Sequence, residues 1–226
     1  MIPLRDINPT KTRPVITWAI IVLNAMVWFY QFGLTDGMQP FVDRWGVVPY
    51  YLTLPVLSSW VTPISSMFLH AGWMHVILNM WFLHIFGDNI EDELGRGRYV
   101  AFYLVCGLAA VALQVAIDPA SQVPMVGASG AIAGVLGGYM MLHPRAPIVT
   151  MLPFVFVELP AWAFLFVWFG LQLVSALGAL GAESSGGVAF FAHIGGFLAG
   201  FALVRVMRSR VDAPAPPSAL EVESGR

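Results

Sequence analysis

Charge is what this sequence has least of. Asp, Glu, Lys and Arg make up 11% of its 226 residues, against about 25% in an ordinary soluble domain, and mean hydropathy is +0.75. A water-soluble globular reading is excluded, and the chain reads as an integral membrane protein. Lysine is nearly missing, since Lys11 alone represents it, which removes a lysine base from any site remote from the N-terminus. Cysteine is also single. Cys106 lies in an apolar run without a partner, so neither a disulfide framework nor a thiolate metal site is available. The formal net charge of -2 offers no basic field for nucleic acid. Long polar blocks are absent too, which argues for one membrane domain with short connections.

What the chain does have is six apolar runs: Val15 to Phe32, Trp73 to Glu91, Tyr99 to Ile117, Ser129 to His143, Ala161 to Leu180 and Val188 to Met207. The first is too long for a signal-peptide core and no cleavage site follows it, so it reads as a retained anchor. The expected fold is an all-α polytopic membrane protein with six transmembrane helices over residues 15–208. Residues 1–14 are expected to form a cytoplasmic N-terminal segment. Residues 209–226, with Pro214, Pro216 and Pro217 and no apolar period, are expected to form a disordered cytoplasmic tail. The long loop between the first two spans, residues 33–69, carries Trp45, Tyr50, Tyr51 and Trp60, rings that favour the membrane-water interface. The segment Arg145 to Pro160 is broken by Pro147, Pro153 and Pro160 and reads as a loop or re-entrant piece. Six spans return both ends to one side. Arg5, Lys11, Arg13, Arg96, Arg98, Arg145, Arg205, Arg208 and Arg210 all fall there, with Arg44 alone opposite, so that side is read as the cytoplasm.

Polar residues inside the runs are few, and they agree in depth. Gly127-Ala128-Ser129-Gly130 places a hydroxyl between glycines at the start of the fourth span, as suits a nucleophile on a tight loop-to-helix turn. Read alone, it also fits small-residue packing between membrane helices. His193 lies about 8 Å into the sixth span at 1.5 Å per residue, and Gly196 and Gly200 are four apart on one face of the same helix. His75 and Asn79, again four apart, lie about 3 to 9 Å below the same outer end on the second span. Intramembrane polar groups are costly and normally face a cavity or one another, so this shared layer reads as a site. Ser129 with His193 as its base makes a dyad without a carboxylate, because spans three to six contain no Asp or Glu. Asn79, His75 and the Ser129 N–H are donors available to a developing oxyanion. No His-Glu-x-x-His run exists for a zinc protease, and Asp88 stands alone at the inner end of the second span. His84 is expected as a hydrogen-bonded interior histidine. The charged run Glu91 to Arg98 is expected to fix the turn between the second and third spans.

Four motifs then resemble one family in order and placement. These are His70-Ala71-Gly72-Trp73-Met74-His75-Val76-Ile77-Leu78-Asn79, Glu91-Asp92-Glu93-Leu94-Gly95, Gly127-Ala128-Ser129-Gly130, and Ala192-His193-Ile194-Gly195-Gly196 with Gly200. From about Trp60 to Arg205 the chain resembles a rhomboid intramembrane serine protease of the six-helix bacterial type. The resemblance implies Ser129 as nucleophile, His193 as general base and then acid, and an oxyanion site lined by His75, Asn79, Ser129 and Gly127. His70 would support the loop between the first two spans, and Glu91 and Gly95 would form a structural Glu-x-x-x-Gly element. It implies cleavage of single-span membrane proteins near the outer face of the bilayer, without cofactor or metal. Some members carry a tyrosine four residues after the nucleophile, stacked on the histidine. Here that position is Ala133, so a ring from the second or fifth span is expected to stand in. With no transit peptide before the first span, a bacterial plasma membrane is expected. Two rivals remain: a catalytically inactive rhomboid-like protein that binds membrane segments as a chaperone or retention factor, and a channel, which would need polar residues through the full depth.

Overall fold

The computed structural model describes residues 1–34, 37–54, 57–153, 155–179 and 189–208. Its first helix, α1 (Val15–Gly33), is built inside out. Thr17, Asn24, Trp28 and Gln31 are its buried residues, while Trp18, Val22, Met26 and Phe29 face outward. An apolar exterior around a more polar interior suits hydrocarbon and not water. The chain then runs through α2 (Met38–Trp45), α3 (Pro49–Leu52), α4 (Thr62–Ser65) and short 3-10 turns before α5 (Trp73–Leu94), α6 (Arg96–Ile117), α7 (Ser129–Leu142), α8 (Ala161–Ala179) and α9 (Phe190–Met207).

Four helices, α1, α6, α8 and α9, are long and apolar enough to cross a membrane. A fifth crossing is obtained if Ser59–Phe68 and α5, bent by 78° at their junction, are counted as one. The helix α7 is apolar but has 14 residues, about 21 Å at 1.5 Å per residue, short of the roughly 30 Å of a hydrocarbon core. Six similar spans thus resolve into four or five candidates and one short helix. Its shortness is tolerated because every residue from Ala131 to Tyr139 is buried, so protein surrounds it. Glycine makes that enclosure tight. A Cβ on Gly196 would strike the Gly130 carbonyl, one on Gly200 the Gly134 carbonyl, and one on Gly137 the Phe197 carbonyl.

The all-α expectation needs correction. Strands β1 (Ile2–Asp6), β2 (Pro147–Leu152) and β3 (Val155–Pro160) form an antiparallel sheet in the order β1-β2-β3, with Asp6 opposite Ile148 and Pro147 opposite Pro160. Arg145 to Pro160 is therefore a hairpin and not a loop or re-entrant piece, and the N-terminal segment is its third strand. The prolines mislead because Pro147 opens β2 and Pro160 closes β3, end positions where a strand tolerates the missing N–H. Likewise the described part of the loop of residues 33–69 contains a series of short helices. Tyr50, Tyr51 and Trp60 are exposed there, as an interfacial segment requires. The start assigned to the sixth span, Val188, and the tail 209–226 lie outside the described residues.

Three consecutive carboxylates tie the charged end of the bundle together. Glu91, 2% exposed, accepts the Ile16 and Thr17 N–H groups at 2.9 and 2.8 Å and so caps the first turn of α1 from another helix. Asp92 accepts the Lys11 and Thr12 N–H groups. Glu93 pairs with Arg208 at 2.7 Å and lies 3.7 Å from His143. The cluster therefore joins α1, α7 and α9 to α5, and does not brace the α5–α6 turn itself, where Arg96 and Arg98 are exposed. Gly95 makes that turn at φ 74°, a value glycine adopts without strain. His84 is also corrected, being exposed against the Trp18 ring at 5.1 Å.

Gly200→Val would drive a side chain into a backbone carbonyl that cannot swing aside, so a loss of more than about 3 kcal/mol is expected, read as thermal unfolding in detergent. The β1 end titrates. Burial pushes the Asp6 carboxyl up to about 6 against its hydrogen bond from Tyr139, with Asp88 adding to the rise. A raised native value means the folded state holds the proton longer. Wild type should lose stability relative to Asp6→Asn as pH rises from about 4 to 6, with the gap constant above, in melting curves taken across that range.

Candidate active site

Ser129 is the first residue of α7, and the backbone before it is what aims it. Gly127 has φ 126°, a region that strains any residue with a Cβ. Its N–H donates to the Ser66 carbonyl at 2.9 Å, which fixes the turn against the preceding short helix. A Cβ there would also lie 2.7 Å from His75 Nε2. Gly127 is thus required twice, for conformation and for the approach of His75.

The hydroxyl meets a histidine from α9. His193 Nε2 lies 2.8 Å from Ser129 Oγ, and His193 Nδ1 lies 2.7 Å from Gln172 Oε1 on α8. The first turn of α9 is held in addition by Gln114 of α6, whose Oε1 accepts the Ala192 N–H at 3.2 Å. Two rings flank the imidazole: Trp168 at 6.2 Å and tilted 38°, and Phe190 edge-on at 6.4 Å. Trp168 comes from the fifth apolar run, one of the two from which a substitute for the ring absent at Ala133 was expected. Trp168 and Gln172 are four apart, hence on one face of α8.

The remaining residues divide between this site and its supports. His75 abuts Gly127, and its Nδ1 accepts the Ala71 N–H at 3.3 Å. Asn79, one turn further along α5, is 7% exposed with an amide nitrogen that lacks a partner among the described residues. A buried donor without an acceptor is costly, and a developing negative charge would satisfy it. His70 packs edge-on to His75 at 5.1 Å. Its backbone N–H and C=O are both bonded by the amide of Gln31 from α1, at 3.0 and 2.8 Å. Gly196 and Gly200 hold α9 against α7, while Glu91 and Gly95 lie at the opposite, charged end. Among the described residues no three His, Cys, Asp or Glu side chains converge as a metal site would require. A cavity of about 40 Å³ behind Ser129 is lined by Ser66, Met67, Ala110, Met125 and Gly127, room for one or two waters or a small side chain.

Sequence reasoning missed Gln31, Gln114 and Gln172. Each is an amide in an apolar helix, and that cost was the available signal.

Comparison with known proteins finds similarity to one family. The profile of the Rhomboid domain matches residues 57–210. The chain is 35% identical over 151 residues to RHOMBOID-like protein 6, mitochondrial, of Arabidopsis thaliana, covering 62% of this chain and 41% of that protein. It is 31% identical over 132 residues to the putative rhomboid protease YdcA of Bacillus subtilis, covering 58% and 64% respectively. It is 28% identical over 198 residues to Rhomboid protein 1, mitochondrial, of Saccharomyces cerevisiae, covering 84% and 53%. The chain spans about half the length of the curated relatives it matches.

An activated serine reacts with a fluorophosphonate, so Ser129 should be labelled and His193→Ala should abolish labelling. Gly127→Ala should slow it about 100-fold, the order expected from displacing a reacting group by about 1 Å, as read by mass spectrometry of the modified peptide.

Proposed function

We propose, for a chain that belongs to the rhomboid family, the activity of an intramembrane serine endopeptidase. The observation that carries this reading is the 2.8 Å contact between Ser129 Oγ and His193 Nε2 in a chain whose long helices are fit for lipid. Ser129 attacks the scissile carbonyl as its hydroxyl proton passes to His193 Nε2. The negative charge on the carbonyl oxygen is met by the Ser129 N–H, which as the first helical donor has no partner within α7, and by Asn79 and His75. His193 returns the proton to the leaving amine nitrogen. Water then attacks the acyl-enzyme, giving one proton to His193 while the Ser129 oxygen leaves and is reprotonated.

The substrates are membrane proteins with a single span, cut near the outer face. A peptide bond within a helix must unwind before a hydroxyl can reach it, which favours helix-weakening sequences at the cleavage site. The small cavity behind Ser129 favours a small residue before the scissile bond. No cofactor is needed for this chemistry. In our topology α5 and α7 join the four long helices to complete six passes through the bilayer, with both ends cytoplasmic in a bacterial plasma membrane. The support is electrostatic: Arg5, Lys11, Arg13, Arg96, Arg98, Arg145, Arg205 and Arg208 gather at the end of the bundle joined by Glu91 and Glu93, and Arg44 lies at the other.

Purified protein in detergent or liposomes should cleave a single-span substrate within or next to its apolar segment, as read by mass spectrometry of the products. Ser129→Ala and His193→Ala should abolish cleavage, and Asn79→Ala should lower kcat by about 100- to 1,000-fold, the range for loss of one oxyanion donor. Substrates bound but never cut by wild type would favour the non-catalytic binding protein instead.

A further inference from the structure

We infer that Gln172 is the positioning residue of the dyad: its amide oxygen accepts the Nδ1 proton of His193 and fixes the tautomer that presents a bare Nε2 to Ser129. The inference deepens the endopeptidase reading and rests on it.

The argument begins with the two ring nitrogens. A neutral imidazole carries one N–H and one lone pair, and the partner of one nitrogen dictates the other. Gln172 Oε1 lies 2.7 Å from Nδ1 and can only accept, so the proton belongs on Nδ1. Nε2, 2.8 Å from Ser129 Oγ, is left with the lone pair that a general base needs. The opposite tautomer would point an N–H at the hydroxyl and set a lone pair against the amide oxygen.

Position and orientation are supplied together by one helix. Trp168 and Gln172, four apart on α8, meet the imidazole with a ring at 6.2 Å and with the amide at Nδ1. The ring limits tilt, and the hydrogen bond limits rotation about the Cβ–Cγ bond. Below them Phe169 packs on Phe197 of α9 at 4.7 Å, which seats α8 at this register. The outward side of α8 is apolar, with Leu171 and Val174 exposed, and Gln172 is the one amide side chain of this helix.

An amide also suits the medium. In water-filled active sites a carboxylate usually holds this nitrogen. A carboxylate within hydrocarbon costs several kcal/mol unless it is paired, and none contacts His193 among the described residues. A neutral carbonyl keeps the tautomer and still accepts from the imidazolium once His193 has taken the Ser129 proton.

The experiment compares wild type, Gln172→Leu and Gln172→Glu in the intact protein. Leucine suits an apolar helix, and thermal unfolding reports whether the fold is kept. Gln172→Leu should slow fluorophosphonate labelling of Ser129 and lower kcat by about 10- to 100-fold, as for other partners that orient a functional histidine, with KM unchanged. Gln172→Glu keeps an acceptor oxygen at the same reach and should restore most of the rate. Nitrogen NMR of 15N-histidine protein, assigned with His193→Ala, should show the Nδ1–H tautomer in wild type and both tautomers in Gln172→Leu. Wild-type labelling and a wild-type tautomer in Gln172→Leu would overturn the inference, as would equal impairment of Leu and Glu with an unchanged tautomer. A wild type that never labels would instead sink the endopeptidase reading, while the tautomer measurement still decides the role of Gln172.

Discussion

In hydrocarbon no hydrophobic force draws one apolar helix to another, so α7 and α9 must hold together by how closely their backbones fit. Gly196 and Gly200 admit the carbonyls of Gly130 and Gly134, and Gly137 admits that of Phe197. The placement of the site follows from this seam. Ser129 tops one helix and His193 lies in the first turns of the other, so a separation of 2.8 Å between Oγ and Nε2 is available only when the axes are this near. Each Cβ added to the seam would push the hydroxyl away from the base. On the proposed reading, small residues here serve the chemistry even though none touches a reacting atom.

The second constraint is the cost of polar groups away from water, and the two ends of the bundle meet it differently. At the charged end Glu91 is nearly enclosed, yet its two oxygens accept the Ile16 and Thr17 N–H groups and the Thr17 hydroxyl. It satisfies donors that the start of α1 would otherwise leave open. At the other end amides replace carboxylates. Gln31 bonds the His70 backbone twice, Gln114 holds the Ala192 N–H, and Gln172 meets His193. A neutral amide carries a donor and an acceptor without the desolvation cost of an ion, which suits the groups that reach between segments at this end.

Much of this was legible in the sequence, for reasons that also explain the failures. Long apolar runs located α1, α6, α8 and α9, because length and hydropathy alone decide fitness for lipid. Ser129, His193, His75 and Gly127 were legible because a polar or conformationally free residue is conspicuous in such runs, and the structure brings these four together. Gln172 and Gln114 are just as conspicuous, but an amide transfers no proton, so neither carries the chemical signature that marks a serine or a histidine. The hairpin of β2 and β3 escaped for another reason. Three prolines in fourteen residues, Pro147, Pro153 and Pro160, read as breakers, and only the register shows that two of them occupy strand ends. The partners of Glu91, Asp92 and Glu93 were invisible because they come from the start of α1 and the segment before it and from the residues that follow α7 and α9, contacts that no spacing rule within one helix can supply.

The short length of α7 gives the last step. His143, which ends it, lies 3.7 Å from Glu93, and α6 begins two residues past Leu94, so α6 and α7 share a level at the charged end. From there α6 rises through 22 residues and α7 through 14, about 33 and 21 Å at 1.5 Å per residue. At that rise α7 is about 12 Å shorter than α6, so Ser129 stops short of the far end of α6. On the endopeptidase reading we propose, a helix of full length would have carried the hydroxyl to the rim, where water is plentiful but a membrane-embedded peptide is out of reach. A still shorter one would have buried it where water cannot follow. Because Ala131 to Tyr139 are enclosed by protein, α7 escapes the need to match the bilayer, and that freedom allows its length to set the depth of Ser129.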